Sequence, residues 1–151
     1  MYGIHTFMTK RLFKLLARVL PTEFIFAHCD VPCGIYDPKP SQIAAATVLK
    51  MTQLLLELDK SGNTLNEKNK FTRCVITKEE HAQKCKDEIL ILWTDYFKPE
   101  HLEKFPSLHE TFWRTAKLCS TTKQEISLEH AEELVKAVDK IASIFTASKT
   151  Q

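Results

Sequence analysis

The sequence is poor in glycine and in alternating apolar and polar residues, and these shortages exclude most sheet architectures. Only three of its 151 residues are glycine, and the period-two alternation that indicates a half-buried strand is hard to find. No apolar run approaches the roughly 20 residues that span a bilayer. Hydrophobic residues form 44% and charged residues 26% of the chain, as in ordinary globular domains. We therefore predict a single all-α domain.

The chain also lacks a basic tract outside its first 27 residues. Its formal net charge is +2. Residues 1–27 contain four Lys and Arg residues and one Glu, so this segment is net +3 and the remainder net −1. Proteins that bind nucleic acid concentrate Lys and Arg on one surface. We expect neither a nucleic-acid partner nor a membrane partner.

Cysteine is too sparse for a secreted disulfide scaffold. The chain has five cysteines, an odd number, and Cys74, Cys85 and Cys119 lie singly within helical patterns. Such thiols usually act as small core hydrophobes. This usage favours a reducing compartment. We expect a cytoplasmic protein, or an organellar one if residues 1–27 act as a transit peptide.

Residues 1–27 differ from the rest in being basic, amphipathic and nearly free of acidic residues. Charged residues interrupt their apolar stretches, so they lack the apolar centre of roughly 7–15 residues that a secretory signal needs. The segment ends on a small residue, Ala27, directly before His28. We predict a pro-segment that a maturation protease removes after Ala27. An additional surface helix is the alternative.

Amphipathic segments with the three-then-four spacing of a buried helix face follow. The predicted helices are 41–60, 67–97, a third that opens at Ser107 and a fourth that opens near Ser127. Pro99 stops the second helix, and Ser107 with Glu110 indicates a capping box. Short polar loops connect the segments, so 41–151 is predicted to be an up-down-up-down four-helix bundle.

The helical periodicity also predicts which side chains face the core. Ile43 begins the apolar stripe of the first helix, and Tyr96 ends that of the second. Further expected core residues are Val48, Leu55, Ile89, Trp93, Phe112, Trp113, Leu128, Leu134 and Phe145. His101, His109 and His130 are interpreted as surface or capping residues without a functional role.

The most reactive side chains lie in a segment that cannot be helical, HCDVPCGIY at 28–36. Pro32 fixes φ and Gly34 allows a positive φ, so the chain can turn back within a few residues. Two thiolates and an imidazole suit copper, zinc, nickel or an iron–sulfur centre. A closed zinc site would need a fourth ligand, and an iron–sulfur cluster would need more cysteines.

Cleavage after Ala27 would complete the donor set, because it frees the α-amine of His28. That amine, the amide nitrogen and thiolate of Cys29, and the thiolate of Cys33 provide two nitrogen and two sulfur donors. Such a planar set favours Ni(II) or Cu(II), and the His28 imidazole can approach along the axis. The anionic donors favour one-electron cycling of nickel. A small reversible disulfide, or an adventitious zinc loop, is the competing interpretation.

The segment HCDVPCGIYDP resembles the hook of nickel-containing superoxide dismutases, whose pattern is H-C-x-x-P-C-G-x-Y after a removable leader. The resemblance predicts that residues 28–40 form a nickel-binding hook. LWTDYFKPEHLEKFP at 92–106 resembles the end of that family's second helix, and the similarity extends over 28–147. The resemblance implies disproportionation of superoxide to dioxygen and hydrogen peroxide by one nickel ion per subunit cycling between Ni(II) and Ni(III). It also implies a homohexamer of four-helix bundles.

The resemblance assigns roles to individual residues. His28 would supply the amine and the axial imidazole, Cys29 the amide nitrogen and a thiolate, and Cys33 the other thiolate. Tyr36 and Tyr96 match tyrosines that line the approach to the metal and position small anions or water. The residues that match the support of the hook are Asp30, Pro32 and Gly34.

One departure concerns the residues that hold the axial imidazole. Bacterial members of the family carry a Glu near Ala44 and an Arg near His81, and this chain has neither. We expect His81, or an acid such as Glu80, to take over part of that role.

Two other classes of protein would use the same residues. A nickel or copper carrier or sensor would bind the metal without turnover. A structural bundle would use Cys29 and Cys33 as a disulfide clip. Nickel binding without superoxide turnover by the leader-free protein would favour the carrier, and full activity in Cys29→Ser would favour the clip.

Overall fold

The computed structural model describes residues 34–60, 62 and 64–149, and within these residues all regular structure is helical. The elements are α1 (Lys39–Asp59), α2 (Leu65–Ile91), a π-helical segment (Leu92–Tyr96), α3 (Pro99–Lys104), α4 (Leu108–Gln124) and α5 (Leu128–Lys149). The predicted all-α class is confirmed. None of the described helices combines the length and the apolar character that crossing a bilayer requires.

The four long helices form the predicted up-down-up-down bundle. Helix α1 packs against α2 and α5, and α4 packs against the same two helices. Short connections make neighbouring helices antiparallel, as in bundles of this topology. The aliphatic and aromatic side chains between the four helices form one continuous core.

The three helical cysteines are buried, as predicted, and Cys85 and Cys119 belong to the continuous core. Cys85 and Cys119 are completely buried, Cys74 is 7% exposed, and all three are free thiols. A hydrogen bond with Cys119, together with burial, raises the pKa of the Cys85 thiol. Because the thiolate is the nucleophilic form of cysteine, the Cys85 thiol is a chemically quiet packing group.

A capping box forms at the start of α2 and not, as predicted, at Ser107 before α4. The Thr64 hydroxyl accepts from the Glu67 backbone N–H (3.3 Å), and the Glu67 carboxylate accepts from the Thr64 backbone N–H (2.8 Å). At Ser107 no side-chain capping bond forms, so the expectation for Ser107 and Glu110 was wrong. Sequence spacing permits a box, but the backbone before the helix decides whether the hydroxyl can reach.

The second helix does not continue to Phe97 as an α-helix. It ends at Ile91, and the next turn is wider, with the Phe97 backbone N–H donating to the Leu92 carbonyl (3.1 Å). A π-turn accommodates one more residue than an α-turn and therefore re-aims the side chains that follow. Helix α3, which the sequence analysis did not predict, starts at Pro99, where proline's missing N–H is tolerated.

Three residues expected in the core lie on the surface. Ile43 is 57% exposed because α1 turns its small residues Ala44 and Ala45 inward. Trp113 is 55% exposed because the adjacent Phe112 occupies the core position. The Lys117 ammonium lies 5.6 Å from the centre of the Trp113 ring, a cation–π contact that fits a surface position. Leu128, also expected inside, is 38% exposed.

A buried lysine caps the C-terminus of α4. Lys78 on α2 is 1% exposed, and its Nζ donates to the carbonyls of Thr122, Lys123 (3.1 Å) and Glu125 (2.8 Å). These carbonyls lie at the C-terminus of α4, where intrahelical partners run out. Burial lowers the pKa of Lys78, and neighbouring Glu79 partly opposes this shift.

Candidate functional site

Part of the predicted site lies outside the described residues. This holds for the leader and for the residues His28, Cys29, Asp30, Pro32 and Cys33. Gly34 is the first described residue, and its φ of 68° lies in the left-handed region. The expectation that this glycine supplies a positive φ is confirmed. A Cβ at Gly34 would meet no atom within 4 Å, so the backbone conformation alone favours glycine there.

The fold brings Tyr36 and Tyr96 together although 59 residues separate them in sequence. Their ring centroids are 5.4 Å apart, with an angle of 58° between the ring planes. The Tyr36 hydroxyl also makes a long contact, 3.5 Å, to the backbone carbonyl of Asp95. Tyr36 precedes α1 and Tyr96 ends the π-helical segment, so the two elements meet at this pair.

Aromatic rings hold the Tyr96 ring from several sides. The centroid distances are 4.5 Å to Phe145, 4.9 Å to Phe97 and 5.8 Å to His101. The His101 ring lies nearly parallel to Tyr96, with 21° between their planes. Phe145 and Phe97 belong to the core, so one face of Tyr96 is anchored in the bundle.

The Tyr96 hydroxyl has a partner that the sequence analysis missed. It lies 2.8 Å from the Ser148 Oγ, and that hydroxyl donates to the Phe145 carbonyl at 2.7 Å. A serine hydroxyl has a single proton, so Tyr96 is the donor toward Ser148. The available signal was the i, i+3 spacing from Phe145, which places Ser148 on the inner face of α5.

His101 and His109 are capping and bridging residues, in line with their interpretation. The Nδ1 of His101 accepts the Lys98 backbone N–H (2.9 Å), which assigns the ring proton to Nε2 in the neutral form. The Nδ1 of His109 accepts the Trp93 indole N–H (2.8 Å). Trp93 also stacks on Phe112 at 5.9 Å with 11° between the planes. The π-helical segment is thereby attached to α4.

Ala44 and His81 lie at a similar distance from the short connection between the antiparallel helices α1 and α2. Ala44 is 1% exposed and packs in the core. His81 is half-buried, and its Nδ1–H donates to the Thr77 carbonyl at 2.9 Å. Its Nε2 is then the acceptor nitrogen. Glu80 is exposed, and a role for either residue at the metal stays a prediction.

No three His, Cys, Asp or Glu side chains come together as a metal site within residues 34–60, 62 and 64–149. The candidate ligands His28, Cys29 and Cys33 precede this part of the chain. The described residues contribute a paired tyrosine surface held by aromatic packing and directed hydrogen bonds. The helical bundle follows, in the sequence, a segment rich in soft ligands, and together they indicate a small all-α metalloprotein.

Comparison with known proteins identifies the family. The sequence model of the nickel-containing superoxide dismutases matches residues 23–149. The chain therefore belongs to the nickel-containing superoxide dismutase family. It is a nickel-dependent oxidoreductase that acts on superoxide.

Individual relatives agree with this assignment over nearly their whole length. The nickel superoxide dismutase of Streptomyces coelicolor is 33% identical over 142 residues, which are 94% of this chain and 98% of the relative. That of Streptomyces seoulensis is 30% identical with the same coverage. A solved structure of native nickel superoxide dismutase is 32% identical, with a TM-score of 0.73 over 82% of this chain and 100% of its own.

Proposed function

We propose that the chain disproportionates superoxide to dioxygen and hydrogen peroxide with a nickel ion held by His28, Cys29 and Cys33. The pairing of Tyr36 with Tyr96 is the observation that carries the proposal. Tyr36 follows Cys33 by three residues, so the chain between their Cα atoms spans at most about 11 Å. Cys33, the proposed thiolate ligand, is thus a near neighbour of Tyr36 in the sequence.

The donor set fits nickel by its chemistry. Two thiolates, a free amine, a backbone amide and an imidazole would provide soft sulfur and nitrogen donors of the kind that suit nickel. When bound, nickel supplies the one-electron redox couple on which disproportionation depends. Gly34, which directly follows Cys33 in the sequence, has a left-handed φ of 68°, a conformation that glycine adopts without steric cost.

Removal of residues 1–27 belongs to the proposal, because the amine of His28 must be free to bind. The coverage of the relatives supports it. The solved relative is matched over its whole length but covers 82% of this chain, whereas the curated relatives cover 94%. A mature protein that has lost its leader would produce this difference. The maturation protease is accordingly a required partner.

The tyrosines orient small molecules near the metal. Superoxide is a small anion, and the product requires two protons for each peroxide formed. Phenol hydroxyls can hold water or an oxygen species by hydrogen bonds. The aromatic packing around Tyr96 fixes its position, so this group does not need to reorganise during turnover.

We also propose a homohexamer in the cytoplasm. Large apolar side chains on the described surface support assembly: Ile43 is 57%, Ile76 50% and Trp113 55% exposed. Single exposed residues are common, but apolar side chains on several helices are suited to subunit contacts. Mass photometry of the mature, nickel-loaded protein tests the hexamer, and cell fractionation tests the location.

The decisive experiment compares two forms of the chain, one starting at His28 and one retaining residues 1–27. Both are loaded with nickel, the bound metal is quantified, and superoxide decay is followed by pulse radiolysis. We expect fast turnover only in the form that starts at His28. Equal turnover in both forms would contradict the amine ligand, and nickel binding without turnover would favour a carrier.

A second experiment tests the proposed metal ligands with cysteine variants. Cys29→Ser and Cys33→Ser should lose nickel and activity together, while Cys74→Ser serves as the control because Cys74 lies in the helical core. Full activity in Cys29→Ser would support the disulfide clip instead.

A further inference from the structure

We infer that Ser148 is a positioning residue for the reaction, because it sets the direction of the hydrogen bond that Tyr96 donates. The inference rests on the proposed function, in which Tyr96 lines the approach to the metal. Ser148 does not itself need to contact substrate. It acts by deciding where the phenolic proton of Tyr96 points.

The contacts define a directed chain of hydrogen bonds. The hydroxyl of Ser148 donates to the Phe145 carbonyl at 2.7 Å, which leaves its oxygen lone pairs as the partner for Tyr96 at 2.8 Å. Ser148 is 8% exposed, so water competes little for this position. The bond to Phe145 is local to α5 and keeps the serine hydroxyl oriented in the absence of Tyr96.

The helix reinforces this direction. Ser148 and Phe145 lie in the last turn of α5, which ends at Lys149. The C-terminus of a helix carries partial negative charge, because its last carbonyls have no intrahelical partners. Hydroxyl protons that point toward this end, from Tyr96 to Ser148 and from Ser148 to Phe145, are therefore favoured over the reverse orientation.

This arrangement gives Tyr96 a defined role. Its proton is committed to Ser148, so the phenol oxygen offers lone pairs to the other side. Tyr96 then accepts a hydrogen bond from a water molecule or from hydrogen peroxide, and does not donate to the superoxide anion. Without the Ser148 hydroxyl, the phenolic O–H could rotate and donate to the anion or to water.

The test uses a matched pair of substitutions, Ser148→Thr and Ser148→Val. The two side chains have the same shape, but threonine carries a hydroxyl group where valine carries a methyl group. Superoxide decay is measured on the purified nickel enzyme. The threonine variant should retain the wild-type rate. The rate of the valine variant should fall by a few-fold to about tenfold, which is the range expected for the loss of one neutral hydrogen bond. Ser143→Ala is the control, because Ser143 donates to a backbone carbonyl of α5 at an exposed position and should not change the rate.

A double-mutant cycle with Tyr96→Phe separates positioning from general structure. In the Tyr96→Phe background, Ser148→Val should have no additional effect, because the group on which Ser148 acts is gone. An equal loss in both backgrounds would overturn the inference. If Tyr96→Phe alone leaves the rate unchanged, the proposed role of Tyr96 fails. If Tyr96→Phe slows the enzyme but Ser148→Val does not, only the present inference fails.

A spectroscopic readout does not depend on nickel or on turnover. The full chain has three tyrosines, at positions 2, 36 and 96, so Tyr2→Phe with Tyr36→Phe leaves Tyr96 alone. The infrared C–O stretch of a phenol distinguishes a donating from an accepting hydroxyl. It should shift in Ser148→Val and Ser148→Ala but not in Ser148→Thr. An unchanged band in both hydroxyl-free variants would refute the assigned proton direction.

Discussion

Replacing Lys78 with methionine tests whether its ammonium group stabilises the C-terminus of α4. Among the described residues Lys78 is the largest completely buried side chain. Methionine has a similar length, so Lys78→Met keeps the packing and removes the donor. The carbonyls of Thr122, Lys123 and Glu125 then lose their shared partner.

The magnitude follows from how well water can replace the ammonium group. Thr122 is 2% exposed, and leaving its buried carbonyl unpaired costs about 1–3 kcal/mol. Lys123 and Glu125 are better exposed, so water compensates there. Losing a cation at the C-terminus of α4 adds about 0.3–1 kcal/mol. Relief of the burial of a charge offsets part of this cost. We expect the free energy of unfolding to fall by about 2 kcal/mol in total, which lowers Tm by roughly 6–8 °C.

Urea titration followed by circular dichroism measures this loss. Lys84→Met is the matched control, because Lys84 is an exposed lysine of the same helix, and it should change the free energy of unfolding by less than about 0.5 kcal/mol. If Lys78→Met is as stable as the wild type or more stable, the cost of burying the ammonium exceeds the benefit of capping, and the reasoning is refuted.

The pH dependence of stability provides an independent check on Lys78. Burial lowers its folded-state pKa below the ordinary value of 10.5. Between the folded-state pKa and 10.5, the unfolded chain binds more protons than the folded chain, so the free energy of unfolding rises with pH in that alkaline window. The rise should be smaller in Lys78→Met. An identical slope in both proteins would show that Lys78 is not linked to folding.

Three further predictions concern the caps, the thiols and the hook. Thr64→Ala removes the capping box of α2 and should cost about 1 kcal/mol, whereas Ser107→Ala should cost less than half of that in the same urea titration, because Ser107 makes no capping bond. Cys85 should resist iodoacetamide in the folded protein and react in urea, since burial and its hydrogen bond raise its pKa; mass spectrometry that finds native labelling would contradict this. Gly34→Ala should destabilise the chain by about 1 kcal/mol, because alanine disfavours a φ of 68°, and an unchanged Tm would argue against that turn.

Helical periodicity was sufficient to predict the bundle, because burial on one face is what a regular helix requires. The same reasoning placed Val48, Ile89 and Phe112 correctly in the core. It failed for Trp113, since two adjacent aromatic residues cannot both face inward from one helix, and the pattern alone does not choose between them. The two tyrosines of the site were predicted from the family resemblance. The resemblance matches their positions in the sequence but gives no physical reason why the two rings meet.

The contacts that organise the tyrosine pair could not be predicted, because they join elements far apart in sequence. Ser148 lies 52 residues from Tyr96, and a serine near the end of a helix is an ordinary residue in any pattern. The π-turn was also missed, since it widens the backbone at Leu92–Tyr96 without a proline or glycine inside the turn. In the sequence, Lys78 resembles any lysine on an amphipathic helix. Its burial depends on the C-terminus of α4, whose position the sequence pattern does not reveal.

The π-helical segment holds Tyr96 in place because two of the long helices bind this segment through side-chain hydrogen bonds. Trp93 attaches the π-helical segment to His109 on α4, and Tyr96 attaches it to Ser148 on α5. Tyr36, at the start of the bundle, then packs on a ring whose position two helices have already fixed. The four helices therefore act as the frame that orients the phenol groups.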